Sequence, residues 1–592
     1  MKCLWQGLLT VGLALVCIGT RAAAAPPERG ALGGTDKLRI LVDKVLMADN
    51  DWVMTDDHVR EIAAAGFNVV SPREGNEDPG EVRRIAGLAA RHGIFHLPWM
   101  RGDRIAQGSV KMVWASGVEQ ELASPNSDEL WTWLTDQILT YARISVECPA
   151  LIGVFLDYEN YSPNSGGNLY ELSYDDKIMA EFAAAEHLEL PALGFGQRYD
   201  WLVGKGLHDR FRAFQVNQWQ QRCRQLRQAI DAVNPKFQFC IYPVPAPLFL
   251  TEAAWPVWAT PAAPMIVADP SIYGRPGGLL THAAALAANR QILRQNLAFA
   301  RARQFPMMLA GGLDPAVPGA DPEFCGRNAA LSADETDGYW VFYEGPTYRT
   351  THADYFRWFT RANQAIARND ASAFWQAPRE TPDPADAGSL VKQTDKPQLG
   401  VFDTRDLMLQ MLQQDSTFEV HALQGLSLGY LQQFDVVILQ NYNVVQSADD
   451  PSSQALRAYV EQGGGLLLAH DTAWYMDSPF PEVASRGKPE HQVQAERHVV
   501  DADLRVAAPH PAVAGLPVGT RFRPEFNDHM IFAPGPAGIT IVENTFADPV
   551  YVVGQAGKGR VAFVGQYQCY QGALQGTERQ AFIGTLRWLA AR

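Results

Sequence analysis

Gly153-Val154-Phe155-Leu156-Asp157-Tyr158-Glu159-Asn160-Tyr161 is the stretch whose reading decides the fold. An apolar run leads into two carboxylates spaced two apart, then into an amide and a phenol. Such a run reads as a parallel-sheet strand covered on both faces, with its charged residues beginning where the strand leaves the core. In a barrel, carboxylates at that carboxyl end point to chemistry rather than to stability.

The same layout recurs on both sides. From Leu38 to about Arg368, strand and helix alternate roughly eight times, the number that closes a barrel. Strands are expected at Leu38–Met47, Phe67–Ser71, Ile94–Trp99, Leu151–Leu156, Phe237–Pro243, Met265–Ala268, Pro306–Ala310 and Gly338–Tyr343. Helices are expected at Val59–Ala65 and Glu81–His92, stopped by Gly66 and Gly93, which tolerate a left-handed cap. Trp131–Arg143, Asp175–Ala185, Phe211–Val233, Thr281–Arg303 and His352–Arg368 supply the others. The expected fold class is α/β, with a (β/α)8 TIM barrel over residues 36–368 and a doubly wound sheet as the alternative.

Residues 369–397, with Thr381-Pro382-Asp383-Pro384, have linker composition. A second alternation fills residues 398–592: Leu399–Phe402, helix Asp406–Gln413, Phe418–His421, Val436–Leu439, helix Ser453–Gln462, Leu466–Ala469, Val542–Val552, Gly559–Gly565 and helix Glu578–Ala591. This predicts a smaller flavodoxin-like doubly wound α/β domain.

A chain of 592 residues exceeds one ordinary core, and 47% hydrophobic with 19% charged residues is globular composition. The net charge of −15, with no basic run after the leader, excludes a nucleic-acid partner, which needs clustered Lys and Arg. Lys2, the apolar Leu8–Gly19, Arg21 and Ala22–Ala25 have the layout of a signal peptide over residues 1–25, with cleavage near Ala24. A membrane anchor is disfavoured because the apolar run is shorter than about 18 residues. Lipidation at Cys17 is a minority reading, since Val16 stands where a small residue is usual. The expected protein is exported, periplasmic or secreted, with no membrane span after cleavage. Cys148, Cys223, Cys240, Cys325 and Cys569 then remain, with neither zinc nor redox spacing. An oxidising compartment permits a Cys223–Cys240 bridge, but five is an odd number, so at least one thiol stays free, and the cysteines read mostly as buried small hydrophobes.

Two carboxyl groups flanking a glycosidic bond, one protonated and one ionised, hydrolyse it through an oxocarbenium-like transition state. Asp157 and Glu159 would share one side of a continuing strand and raise each other's pKa, which suits Glu159 as acid with Asp157 tuning it. An ion-paired strand end is the structural alternative. Gly338-Tyr339-Trp340-Val341-Phe342-Tyr343-Glu344 repeats the layout at the eighth strand, offering Glu344 as nucleophile or base, or as a group orienting a sugar hydroxyl. Asp269 and Asp314, each before a proline, are reserves that equally fit turns. Arg73, Glu74, Trp99, Arg101, Tyr161, Tyr242, Tyr273 with Arg275, and Trp340 give the rim a sugar-cleft composition. Any single ring among them equally fits core packing. In the second segment His470, Asp471, His510, Asp528 and His529 match no zinc spacing, so neither metal nor cofactor is expected.

Phe155-Leu156-Asp157-Tyr158-Glu159 and Tyr339-Trp340-Val341-Phe342-Tyr343-Glu344 resemble the strand ends of the glycoside hydrolase superfamily, which implies a carbohydrate substrate. The Asp-x-Glu is similar to that of chitinase-like family 18 enzymes, in which the Glu is the acid and the Asp helps a substrate acetamido group attack. The two earlier aspartates of that motif are missing here. Family 42 enzymes carry Asn-Glu at the fourth strand, where this chain has Tyr158-Glu159. Phe434-Asp435-Val436-Val437-Ile438-Leu439, Gly463-Gly464-Gly465-Leu466-Leu467-Leu468, His510-Pro511-Ala512-Val513-Ala514-Gly515-Leu516-Pro517 and Gly557-Lys558-Gly559-Arg560-Val561 resemble ThuA-like and class I glutamine-amidotransferase-like domains. Ala469-His470-Asp471 stands where true amidotransferases carry a cysteine nucleophile, so amidase chemistry is not expected. The fusion is similar to family 42-type β-galactosidases, which implies a homo-oligomer formed through the C-terminal domain. Three alternatives stay open: a substrate-assisted chitinase-like hydrolase, a non-catalytic glycan-binding barrel, and a hydrolase or isomerase using the second domain.

Overall fold

The computed structural model describes residues 29–43, 54–102, 108–159, 171–243, 249–274, 280–315, 321–343, 346–380, 395–403, 405–442, 444, 447–487, 499–500, 502–526 and 528–591. The expected signal peptide and the tract 381–394 lie outside the described residues.

Eight parallel strand stations follow one another: Leu38–Asp43, Val69–Pro72, the split pair Phe95–His96 and Trp99–Arg101, Gly153–Asp157, Gln238–Tyr242, Met265–Asp269, Met307–Leu313 and Gly338–Tyr343. Each pairs with the next, and the eighth returns to the first with Leu38 opposite Gly338 and Asp43 opposite Tyr343. The third meets the fourth through the His96–Leu151 bridge and the Trp99–Phe155 to Arg101–Asp157 register. Every station therefore has a neighbour on both sides, as a TIM barrel requires. The expected strand positions hold within a few residues.

Alternation sorts each strand. Ile40, Val42, Val69, Phe95, Leu97, Phe155, Cys240, Tyr242, Ile266, Ala268, Met308, Ala310, Trp340 and Phe342 pack into one interior cluster. Residues of opposite parity, such as Leu41, Val70, Val154, Ile241 and Val267, join the clusters that pack against the helices. The helix Asp56–Ala64 opens with a capping box between Thr55 and His58, and Pro79–Arg91 opens on Asp78. Gly66 and Gly93 take left-handed φ angles of 86° and 69°, as their place after these helices demanded.

Cys223 and Cys240 are both free and, like Cys325 and Cys569, buried as small hydrophobes, and the bridge that an oxidising compartment permitted is corrected. Cys240 faces the barrel interior while Cys223 belongs to the helix layer outside, so the strand itself lies between them. The helix Pro322–Glu335 had no counterpart among the expected elements. Its residues Glu323 to Ala333 are all buried, so it shows no polar face for a 3.6-residue period to reveal. Its Glu323 and Arg327 pair at 2.8 Å, and Arg327 also donates to the carbonyls of Phe374, Ala377 and Pro378. The hairpin of Lys111–Val113 and Glu119–Ala123 was likewise not foreseen.

In the second segment a nine-stranded sheet runs in the order Glu419–Ala422, Gln398–Asp403, Val436–Gln440, Gly465–Ala469, Gly559–Val564, Pro549–Ala556, Ile539–Asn544, Leu504–Val506, Arg521–Phe522. The first five are parallel and the remainder antiparallel. The expected strand Val542–Val552 is in fact two strands of a hairpin, which turns where Ala547 adopts a φ of 66°. Within the stretch expected as linker, Ala371–Gln376 is helical. Among the described residues no helix is long and apolar enough to cross a membrane.

His96 has its ring on the outer side of the third strand, fully buried, with neither ring nitrogen hydrogen-bonded. Burial pushes its pKa down to about 3, so it stays neutral where the unfolded chain, with a pKa near 6.5, takes up a proton. The unfolded state then binds more protons between pH 6.5 and 3, and stability falls as pH falls through that window. By urea unfolding, His96→Leu should recover roughly 2–3 kcal/mol of the loss between pH 7.5 and 4.5. Equal losses in parent and variant would show that His96 is not the acid-sensitive group.

Candidate functional site

Register alone builds the centre of the site. Arg101, Asp157 and Tyr242 stand opposite one another on the third, fourth and fifth strands, and alternation turns Tyr242 into the barrel with Phe155 beneath Asp157. Asp157 is 1% exposed and accepts a hydrogen bond from the backbone N–H of Glu159 at 2.7 Å. The Arg101 guanidinium donates to the backbone carbonyl of Glu159, which fixes the chain just beyond the strand.

Burial raises the Asp157 carboxyl to about 6, against the pull of the Arg101 charge and the Glu159 N–H. The Glu159 carboxylate raises it further, and Arg73 lowers it. Burial, and then the Glu159 charge, also hold the Tyr242 phenol protonated, leaving it a donor towards that carboxylate. Glu159 itself is half-buried. A buried, titratable Asp, a partly exposed Glu and a neutral phenol thus share one rim, an arrangement suited to moving protons at a bound ligand.

Below them lies an aromatic floor. Trp340 contacts Phe155, Tyr242, Tyr273 and Phe342 at ring separations of 5.7, 5.2, 5.5 and 4.6 Å. Trp340 is fully buried, which corrects its expected role as a surface against which ligand stacks: it sits one layer down and supports Tyr242 and Tyr273. Tyr273 lies beside Tyr242, with centroids 6.4 Å apart, and the N–H of Asp314 donates to its carbonyl at 2.8 Å. Asp314 is close enough for its charge to act on the Tyr273 phenol.

Asp269 is corrected as a site residue. Its neighbours Ile266 and Ala268 face the interior, so it has the outward parity. Its carboxylate accepts from the Ser271 N–H at 2.9 Å and the Asn296 amide at 2.8 Å, tying a turn to the helix His282–Ala302. Tyr161, Arg275 and Glu344 lie outside the described residues.

A cavity of about 650 Å³ opens beside this centre, and Arg73, Glu74, Trp99 and Arg101 are among the residues that line it. The Arg73 guanidinium lies 4.8 Å from the Trp99 ring centre and 5.2 Å from that of Phe342. The opposite wall is Trp133, Gln137 and Tyr141 of the helix Asp128–Glu147, which sequence reasoning missed. Their four-residue spacing was the available signal, because it puts all three on one helix face. Gln137 and Tyr141 donate to the Asn76 carbonyl at 3.1 and 2.5 Å, while the Asn76 amide reaches the carbonyls of Pro72 and Trp99 at 2.7 and 2.8 Å. That network holds the wall against the rim.

In the second segment His470, Asp471 and Asp528 come together, with His470 Nε2 3.2 Å from Asp528 and Nδ1 3.9 Å from Asp471. His529 meets Asn544 instead, and His510 caps the short turn Pro511–Val513.

No family model and no curated protein matches the chain. Solved structures do. A β-galactosidase from Rahnella sp. R3 aligns with 14% identity and a TM-score of 0.40 over 94% of this chain and 89% of that one. A β-galactosidase from Bacillus circulans sp. alkalophilus gives 11% and 0.39 over 94% and 88%. The exo-β-1,4-mannosidase Op5Man5 from Opitutaceae bacterium strain TAV5 gives 12% and 0.32 over 92% and 93%. At such identities neither substrate nor reacting residues carry over.

The charges around Asp157 fix the direction in which its titration moves. Glu159→Gln removes a repelling neighbour and should lower the Asp157 pKa, whereas Arg101→Met removes an attracting one and should raise it. Carbon NMR of carboxyl-labelled aspartate across pH 4 to 8 reads both. A midpoint unmoved in either variant would contradict this account of the site.

Proposed function

We propose that the chain is an exported glycoside hydrolase acting on an oligo- or polysaccharide, with Glu159 as general acid and Glu344 as nucleophile or base. The observation that carries this reading is the layer of Arg101, Asp157 and Tyr242 under Glu159, beside a cavity walled by tryptophan and arginine. Glycosidic cleavage needs paired carboxyl groups beside a surface that binds sugar faces, and Asp157 and Glu159 beside the Arg73–Trp99 wall support that reading. Asp157 acts as a positioning residue: it holds the Glu159 backbone and adds negative charge beside the acid. Glu344 enters through its sequence position directly after the eighth strand. We read residues 398–592 as a flavodoxin-like, ThuA-like domain that mediates homo-oligomer formation. Its second-first-third-fourth-fifth order of parallel strands supports the flavodoxin-like part.

One observation favours a second, substrate-assisted reading. Asp157 is buried, raised to about 6 and adjacent to Glu159, which suits a carboxyl that orients a substrate acetamido group. Aryl glycosides with and without a 2-acetamido group separate the two, since only the assisted route requires that group.

Screening the protein against aryl glycosides and oligosaccharides, beside Glu159→Gln and Glu344→Gln, tests the proposal. Both variants should melt as the parent does and lose about 10²–10⁴-fold in kcat. Glycan binding without turnover in the parent would make the barrel a binding module. Turnover indifferent to both substitutions would overturn the assignment of the barrel rim.

A further inference from the structure

Eight non-glycine residues with positive φ occur among the described residues, and their positions differ in kind. His187, Gln304 and Asn369 follow helices ending at Ala185, Ala302 and Ala367, and Ala547 turns a hairpin, so local geometry accounts for them. The other four are Asp406, Asn441, His470 and Cys569, with φ of 59°, 53°, 53° and 61°. Each comes within a few residues of the carboxyl end of one of four adjacent parallel strands in the second sheet: Gln398–Asp403, Val436–Gln440, Gly465–Ala469 and Gly559–Val564. Left-handed backbone costs a non-glycine residue about 1–3 kcal/mol and gathers where a site over-determines it. The carboxyl edge of such a sheet is also where open α/β folds bind ligands.

Side chains at that edge make an independent case. His470 is 4% exposed and lies between two carboxylates, with Asp528 at 3.2 Å from Nε2. The Tyr567 and Phe526 rings meet its imidazole at centroid distances of 5.4 and 6.0 Å. Above them Phe526 stacks on Tyr570 at 4.0 Å, both half-buried, and the Arg405 guanidinium lies 4.2 Å from the centre of the Tyr570 ring. Glu525 pins that tier by accepting from the N–H groups of Tyr570 and Gln571 at 3.0 and 2.6 Å.

We propose that this edge is a second binding site, independent of the barrel rim, for a neutral, hydroxyl-rich ring the size of a monosaccharide. The ligand's C–H face packs on the partly exposed Phe526–Tyr570 pair, its hydroxyls meet the Arg405 guanidinium and the Glu525 carboxylate beside that pair, and the buried His470 beneath Phe526 reports the contact. Aromatic faces favour such a ligand over a linear polar one. Asp471, Glu525 and Asp528 outnumber Arg405, which disfavours an anion.

The test uses the full chain. D-galactose, D-glucose and D-mannose are titrated into the tens of millimolar while the imidazole Cε1–H signal of His470, assigned with His470→Gln, is followed by NMR. At least one sugar should shift that signal saturably. Tyr570→Ala should weaken the response about tenfold or more, whereas Tyr570→Phe, which keeps the ring, should preserve it. Three results would each overturn the proposal: no sugar shifting the signal, a response unchanged in Tyr570→Ala, or a response abolished by Trp99→Ala at the barrel cavity.

Discussion

A closed ring of parallel strands leaves each side chain only two places to go, the interior or the helix layer, and strict alternation decides which. Because each station is paired on both sides, no strand can slip by one residue without turning its whole set of side chains to the wrong side. Tyr242 therefore cannot leave the interior while Cys240 fills it, and Asp269 cannot enter while Ala268 does. The layer of Arg101, Asp157 and Tyr242 follows from the register of three strands. No loop is needed to assemble it.

Burying Asp157 is costly unless its charge is met, and the neighbouring strand meets it. Arg101 supplies the compensating charge, the Glu159 N–H supplies a hydrogen bond, and Arg73 adds a weaker field from further along the rim. The compensation is partial, which is why the carboxyl titrates near 6 instead of near 4. The floor of Phe155, Trp340 and Phe342 keeps this balance by excluding water from beneath, so the charges act through a medium of low polarity.

This division also explains what could be read from the residues alone. Buried parallel strands announce themselves by continuous apolar runs, so all eight stations were legible, and so was the stretch ending at Glu159. Placing side chains needed one further step, the parity of each strand relative to its interior residues. Asp269 and Trp340 were misassigned because nearness to a strand end does not say which way, or how deep, a side chain points. Trp133, Gln137 and Tyr141 were missed for a different reason: they belong to a helix whose face towards the site is set by packing across the barrel wall. Pro322–Glu335 was invisible because a helix buried on every side has no amphipathic signature. The cysteines failed as a bridge because adjacency to the same strand does not put two residues on the same side of it.

The two edges of the barrel differ in how much variation they tolerate, and this is what frees one of them for chemistry. At the amino edge of the fourth strand, a Cβ on Gly153 would lie 2.0 Å from the Gln238 carbonyl oxygen, a backbone atom that cannot move without breaking the pairing beside it. Four residues later, at the carboxyl edge, the Asp157 backbone is still in the ladder, but its side chain meets the turn at Glu159, which the Arg101 side chain holds in place. Side chains can be exchanged one at a time without disturbing the ladder, and backbone contacts cannot. A binding site built on the carboxyl edge can therefore change its chemistry while the amino edge holds the ring closed.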